Sequence, residues 1–255
     1  MLGQPGRAPA AGHADFFEFL ADYRKPFVGM VGAADYLFMT AFVSVLRPER
    51  VVELGTLTGF SAAILASALI RERGYDGHAV VDTIDRMVEC AVAPEPIGFE
   101  IPQMLPQWPD AVRIHAGRDS EMLGEILAPG ELQLALIDAS HKHPWPLLDL
   151  LRLAPFLRVG GWVLLHDIQL GTMGAEQRKR GESQQHGFDS GAEWLFEAWP
   201  SRKISGGNIG AVQLPAQKSD LLRLAVQLMA KPFETAPSKE KELRRALYRA
   251  LGDLI

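Results

Sequence analysis

Ionisable residues stand at the ends of several apolar runs in this 255-residue chain, where a folded sheet would present them together. The run Val51-Val52-Glu53-Leu54 leads into Gly55-Thr56-Leu57-Thr58-Gly59-Phe60-Ser61, and an alanine-rich stretch follows. Gly55 and Gly59 allow close backbone approach to a ligand and dihedrals closed to other residues. A helix starting there aims its unbonded N–H groups into the turn. This is the build of a nucleotide-type binding turn. Its G-x-x-x-G spacing is not the dinucleotide fingerprint G-x-G-x-x-G, and no Gly-Lys-Ser/Thr follows to make a phosphate loop. The Glu53 carboxylate would repel a pyrophosphate and suits a cationic ligand such as S-adenosylmethionine. Glu53, Gly55, Thr56, Gly59 and Ser61 are the candidate cofactor contacts of this turn. A Gly-bearing strand–helix turn with no ligand is the plainer reading.

Further along, Val80-Val81-Asp82 ends a short apolar run. Its carboxylate could accept both ribose hydroxyls of an adenosyl group. Asp85 competes for that role, and a turn or capping aspartate is the bland alternative. Asp119, in Gly117-Arg118-Asp119-Ser120, could accept from an adenine amino group or cap a helix. Ile137-Asp138-Ala139-Ser140-His141 places a histidine three residues beyond an acid. Such a histidine can act as a general base near neutral pH. Asp138 as a helix cap and His141 as a solvated loop residue make the opposing reading. His143 is the lesser candidate base. His166-Asp167 closes another apolar run. Asp138, Asp167 and His166 would make an oxygen-rich set suited to a divalent cation such as Mg²⁺. Asp167 bonding only to loop backbone weighs equally.

Alternating strands and helices must position these groups. Strands are expected at Arg50–Leu54, His78–Asp82, Ala111–Ala116, Leu132–Asp138 and Trp162–His166, with helices at Ser61–Arg73 and Leu147–Leu157 between them. Arg158-Val159-Gly160-Gly161 reads as a turn. Five prolines between Arg86 and Asp110 leave room for short helical pieces only. Lys203–Ser205 and Ile209–Leu214 form a closing hairpin. The pattern predicts an α/β fold, a doubly wound, Rossmann-like, mostly parallel sheet with an antiparallel closing hairpin and terminal helices. Ligands bind beyond the carboxyl ends of such strands.

The expected organisation is a flexible tail at 1–14, N-terminal helices over 15–48, a cofactor-binding domain over 49–215 and a helical extension over 216–255. The polar segment Gln169–Ser190 is long for a connection and is expected to be a mobile substrate lid. Phe188 and Trp194 are candidates to line an acceptor pocket, with a core role open for Trp194. Leu243, Leu247, Leu251 and Leu254 recur at three and four, an apolar stripe that must pack on its own chain or on a two-fold partner; a homodimer is the expectation.

A net charge of −5 and a pI near 5.8 argue against a general nucleic-acid binder. No run is long and apolar enough for a membrane span or a signal peptide. The single cysteine, Cys90, allows no intrachain disulfide and fits a reducing cytoplasm, as a small buried apolar group.

Glu53–Ser61, Val80–Thr83, Gly117–Ser120, Ile137–His141, and Leu153 through Gly160-Gly161 to His166-Asp167 stand in the order of one known group. Over about Glu49 to Leu214 the chain resembles a class I S-adenosylmethionine-dependent methyltransferase, in the branch called methyltransferase family 24, related to macrolide sugar O-methyltransferases and cephalosporin hydroxylase-type proteins. The resemblance implies S-adenosyl-L-methionine as cofactor, with Asp138 close to it. In metal-dependent members the aspartate matching Asp138 binds Mg²⁺, and the histidine matching His141 resembles the catalytic base. Their metal site is completed by an acidic pair, here replaced by His166-Asp167. The expected reaction is methyl transfer to a small-molecule hydroxyl, with His141 and Asp138 catalytic. The rival is a cofactor-binding or assembly module without chemistry. A dehydrogenase is disfavoured by the missing fingerprint.

Overall fold

Short buried runs separated by alanine- and leucine-rich helices give the chain its frame. The computed structural model describes residues 31–105, 108–182 and 189–254. The expected tail, residues 15–30 of the expected N-terminal helices and Phe188 lie outside those residues. The chain divides into two units, one up to Asp119 and one from Ser120 onward.

The first unit runs α1 (Ala33–Leu46), β1 (Val51–Leu54), α2 (Phe60–Arg73), β2 (Val81–Asp85), α3 (Ile101–Met104), α4 (Trp108–Ala111) and β3 (Val112–Ala116). Its strands are parallel in the order β3-β2-β1. Every residue of β1 is buried, Glu53 included, as expected of a strand covered on both faces. Along α2, Ala62, Ala63, Ala66 and Ala68 are fully buried, so the helix packs with little side-chain bulk between it and its neighbours. The helix stops at Gly74, whose N–H closes on the Ile70 carbonyl at 2.8 Å.

Two strands depart clearly from their expected spans, β2 and the strand Leu157–His166 of the second unit. β2 begins at Val81 and ends at Asp85, so Asp82 is its second residue and not its last. The polar residues Asp82 and Thr83 disguised the strand in sequence. Both are tolerated inside the sheet because each has hydrogen-bond partners there, Arg50 and His115 for Asp82, Glu53 and Thr56 for Thr83.

The second unit contains a 3₁₀ turn (Ser120–Met122), α5 (Leu123–Ile126), β4 (Leu132–Ile137), α6 (Trp145–Leu153), a second 3₁₀ turn (Ala154–Phe156) and β5 (Leu157–His166). It continues through α7 (Leu170–Lys179), α8 (Gly191–Glu197), β6 (Lys203–Gly206), β7 (Ile209–Gln213), α9 (Lys218–Met229) and α10 (Pro237–Gly252). Its strands follow the order β4-β5-β7-β6. β4 and β5 are parallel, while β7 is antiparallel to both β5 and β6. The expected α/β class, mostly parallel with an antiparallel closing hairpin, holds.

Gly160-Gly161 is not a turn before β5. It lies inside this 10-residue strand. The register with β4 jumps from Leu132 opposite Leu157 to Leu134 opposite Trp162, which marks a bulge. Gly160 takes φ 76 there, and a Cβ on Gly161 would stand 3.0 Å from the Arg158 carbonyl oxygen.

Much of the expected lid is helix: α7 fills Leu170–Lys179, and residues 183–188 lie outside the described ones. The leucine stripe is covered within its own unit. Leu243, Leu247 and Leu254 are buried, and α10 packs on α6. The stripe therefore requires no second subunit. Among the described residues no helix is long and apolar enough to cross a membrane. Cys90 is buried and unpaired.

Candidate functional site

In the first unit, the turn after β1 is built around two carboxylates. Glu53 is fully buried, and its two oxygens accept from the Ser61 hydroxyl and, at 2.5 Å, from the Thr83 hydroxyl. Thr83 and Thr56 share a further hydroxyl contact at 2.6 Å. Glu53 therefore ties the end of β1 to the first turn of α2 and to β2. Of the polar cofactor candidates, Glu53, Thr56 and Ser61 are all buried within this network.

The second carboxylate is Asp85, at the end of β2. One of its oxygens accepts from the Thr56 and Leu57 amides at 3.0 and 3.1 Å, the other from the Met87 amide at 2.9 Å. Gly55 takes φ 101, Leu57 φ 47 and Gly59 φ 87, so the turn has positive φ at three points, and the one that is not glycine, Leu57, is held there by Asp85.

Gly59 has a packing reason of its own. It sits at φ 87 as the N-cap of α2, and a Cβ there would lie 2.5 Å from Ile101 Cγ1 and 2.9 Å from Gly98 Cα. The segment after β2 is sewn onto the turn by Gly98 N–H to the Leu57 carbonyl and Glu100 N–H to the Thr58 carbonyl, both 3.0 Å.

Asp82 is placed differently from Asp85. It is fully buried, with Arg50 Nε at 2.6 Å on one oxygen and His115 Nε2 at 2.8 Å on the other. Burial pushes its pKa up, but the bonds from His115 and Arg50 outweigh that and hold it below the ordinary value. Both oxygens are engaged inside the protein. Asp119 is half-buried in the loop between β3 and the Ser120–Met122 turn.

The second unit gathers the other candidates. Asp138 follows β4, His166 ends β5, and Asp167 follows it at φ 60. His141 Nε2 is 3.0 Å from Asp167 Oδ2 and 3.9 Å from Asp138 Oδ1. His166 Nδ1 bonds Asp138 Oδ1 at 3.0 Å. Burial pulls the His141 pKa down, yet the bond to Asp167 and the charges of Asp167 and Asp138 raise it above the ordinary value. Asp167 is held low for the complementary reason: burial raises it, and His141, His166 and Asn208 together lower it further.

Asp138, His141 and Asp167 each offer a ligand atom within 4.8 Å of the others. This trio differs from the expected set in holding His141 where His166 was named. His166 is buried and turned onto Asp138, the place of a residue that orients a ligand. Two carboxylates with one imidazole fit a divalent cation while His141 is neutral. A protonated His141 would occupy the same electron-rich space.

His143, the lesser base candidate, is 1% exposed, with its ring edge-on to Trp194 and Phe233 at 5.3 and 5.4 Å. Burial pushes its pKa down to about 4. It is a neutral core residue. Trp194 does line a cavity of about 650 Å³, with Lys142, Ser190, Phe233, Glu234 and Thr235. Glu234 fastens this region by accepting from the amides of His143 at 2.6 Å and Ser190 at 3.0 Å. Asn208, Glu234, Arg50 and His115 carried no signal in the sequence, because each acts on partners 32 to 91 residues away.

Comparison with solved structures gives the fold. The SAH-bound Podospora anserina methyltransferase PaMTH1 superposes with a TM-score of 0.56 at 13% identity, covering 82% of this chain and 90% of that one. Cofactor-bound Rv0187 from MTB gives 0.52 at 20%, covering 80% and 89%. The O-methyltransferase from Bacillus cereus in complex with SAH gives 0.50 at 16%, covering 80% and 92%. At these identities the likeness establishes the fold, a Rossmann-like α/β fold that methyltransferases share. Residues 52–168 match the family described as "Methyltransferase domain". No curated protein matches the sequence.

Proposed function

We propose that this protein is an S-adenosylmethionine-dependent O-methyltransferase acting on a small-molecule hydroxyl. The observation that carries the reading is the histidine–aspartate cluster: His141 Nε2 stands 3.0 Å from Asp167 Oδ2, in a chain whose residues 52–168 match a methyltransferase-domain family. Residues 49–215 would form the catalytic domain and 216–255 an accessory extension.

The turn of the first unit binds the donor. Gly55 gives the methionine portion room. Asp85, ending β2 beside the turn and half-exposed, takes the ribose hydroxyls, and this role passes to it from Asp82, which is fully buried between Arg50 and His115. The buried Glu53 keeps the turn in shape and supplies negative charge near a sulfonium.

In the second unit, neutral His141 donates Nε2–H to Asp167. Its Nδ1 is then the nitrogen that accepts the acceptor's proton. Asp167 fixes that tautomer and stabilises the imidazolium formed. The oxygen so ionised attacks the methyl in line with the departing thioether sulfur; the C–O bond forms as the C–S bond breaks. Asp138 and Asp167 would hold a divalent cation, which when bound lowers the pKa of an acceptor hydroxyl. The cavity beside Trp194 and Phe233 would take the acceptor's non-reacting body. The one cysteine suits work in the cytoplasm.

Isothermal titration with S-adenosylhomocysteine and with NAD tests the donor assignment. Transfer of labelled methyl from S-adenosylmethionine to panels of phenols and sugars tests the reaction. Tight binding of NAD and none of S-adenosylhomocysteine would overturn the reading. Cofactor binding with no transfer to any acceptor would favour a binding module.

A further inference from the structure

We infer that Asn208, in the β6–β7 turn, is the positioning residue for the candidate base: it holds Asp167 in the orientation that fixes His141. The inference rests on the reading of His141 as the base.

Three contacts define the clamp. The Asn208 side-chain amide N–H donates to Asp167 Oδ1. Its side-chain carbonyl accepts from the Gln169 amide at 3.1 Å, and its backbone carbonyl accepts from the Ile168 amide at 3.2 Å. These bonds settle which way the side chain faces. The Gln169 amide can only donate, so the atom facing it is the oxygen, and the nitrogen is the atom facing Asp167. Asn208 is therefore a donor to the carboxylate.

The clamp acts on a residue that needs one. Pairing between β5 and β7 ends at His166 opposite Ile209. The next residue, Asp167, turns to φ 60, a left-handed conformation uncommon outside glycine, asparagine and aspartate. That turn carries its carboxylate between two partners, Asn208 on Oδ1 and His141 on Oδ2. A carboxylate gripped on one oxygen presents the other in one direction. Without the grip it can rotate, and Nε2 of His141 loses its fixed acceptor.

Asn208→Asp tests this directly, because it keeps the shape and an acceptor for Gln169 but removes the donor to Asp167. Asn208→Ala removes both. The readout is the His141 imidazole signals in ¹⁵N-histidine NMR of the full chain, with Asp167→Asn as reference. Both Asn208 variants should shift those signals toward the reference while binding S-adenosylhomocysteine as wild type does. Turnover on whichever acceptor wild type methylates should fall about tenfold to a hundredfold, as for other orienting partners, with KM for S-adenosylmethionine unchanged. If Asn208→Asp fails to fold, Asn208→Ala alone decides. A folded Asn208 variant with wild-type His141 signals overturns the inference. The NMR result stands even where no acceptor is found, so failure of the methyltransferase reading is seen separately, in the wild-type assay.

Discussion

Replacing Gly59 by alanine distinguishes two reasons for a glycine in the turn. If Gly59 serves only to let a ligand close, alanine should leave the empty protein's stability alone. The geometry predicts otherwise. The new Cβ would stand 2.5 Å from Ile101 Cγ1, 2.7 Å from Ile101 Cδ1 and 2.9 Å from the Gly98 backbone. The Ile101 side chain can shift, but Gly98 is itself pinned by its bond to the Leu57 carbonyl. Overpacking of this kind costs about 1–3 kcal/mol. The residue also sits at φ 87, where a side chain adds about 1–2 kcal/mol. Together these give a loss of roughly 2–5 kcal/mol. For a chain of this size that is a fall in melting temperature of about 4–20 °C. Thermal melting of the cofactor-free protein by circular dichroism measures it. A Gly59→Ala protein that melts within a degree of wild type would refute the packing account.

Three further outcomes are expected. Asp85→Ala should weaken S-adenosylhomocysteine binding by about tenfold to a hundredfold, since hydrogen bonds to a charged group are each worth roughly 1.5–3 kcal/mol; Asp82→Ala should instead cost stability, about 3–5 kcal/mol for a broken buried ion pair, with affinity kept in the folded fraction. Titration calorimetry beside urea unfolding separates the two, and the reverse pattern would return the ribose role to Asp82. His143 has a folded pKa near 4, below its ordinary 6.5, so the stability tied to its neutral form is complete above pH 6.5 and fades as pH falls toward 4. Between pH 7 and 4.5 wild type should lose on the order of 2 kcal/mol more than His143→Phe; equal losses in urea would show that His143 does not resist protonation. Asp138→Asn and Asp167→Asn should each weaken Mg²⁺ or Mn²⁺ binding about tenfold or more, and wild-type calorimetric affinity in both would remove the metal from the account.

The frame was legible because its strands are apolar runs and its helices carry alanine and leucine at helical spacing. The Gly55–Gly59 turn and the Asp138–His141 pair could be read because their residues are near neighbours in sequence. Asp82 misled for a physical reason. It looks like a strand-end acid, but Arg50 and His115 pay for its burial inside the sheet, and the strand runs three residues further to Asp85. Gly160-Gly161 misled in the same way: two glycines suggest a turn, and a bulge within β5 uses them equally well. Asn208 looked like an ordinary hairpin residue, because its partner Asp167 is 41 residues away.

The pH dependence of turnover for wild type and His141→Ala tests the central claim most directly. The raised pKa of His141 means that it is protonated until pH passes above the ordinary imidazole value of 6.5, and only the neutral ring can accept a proton. Wild-type turnover should therefore rise with pH through a transition above 6.5 and then level off. At pH 7 His141→Ala should turn over roughly a hundredfold to ten-thousandfold more slowly, as expected for loss of a general base, and regain part of that rate at high pH where the acceptor ionises unaided. S-Adenosylhomocysteine affinity should be unchanged, because the proton comes from the acceptor. A His141→Ala enzyme with wild-type turnover at pH 7 would contradict the account.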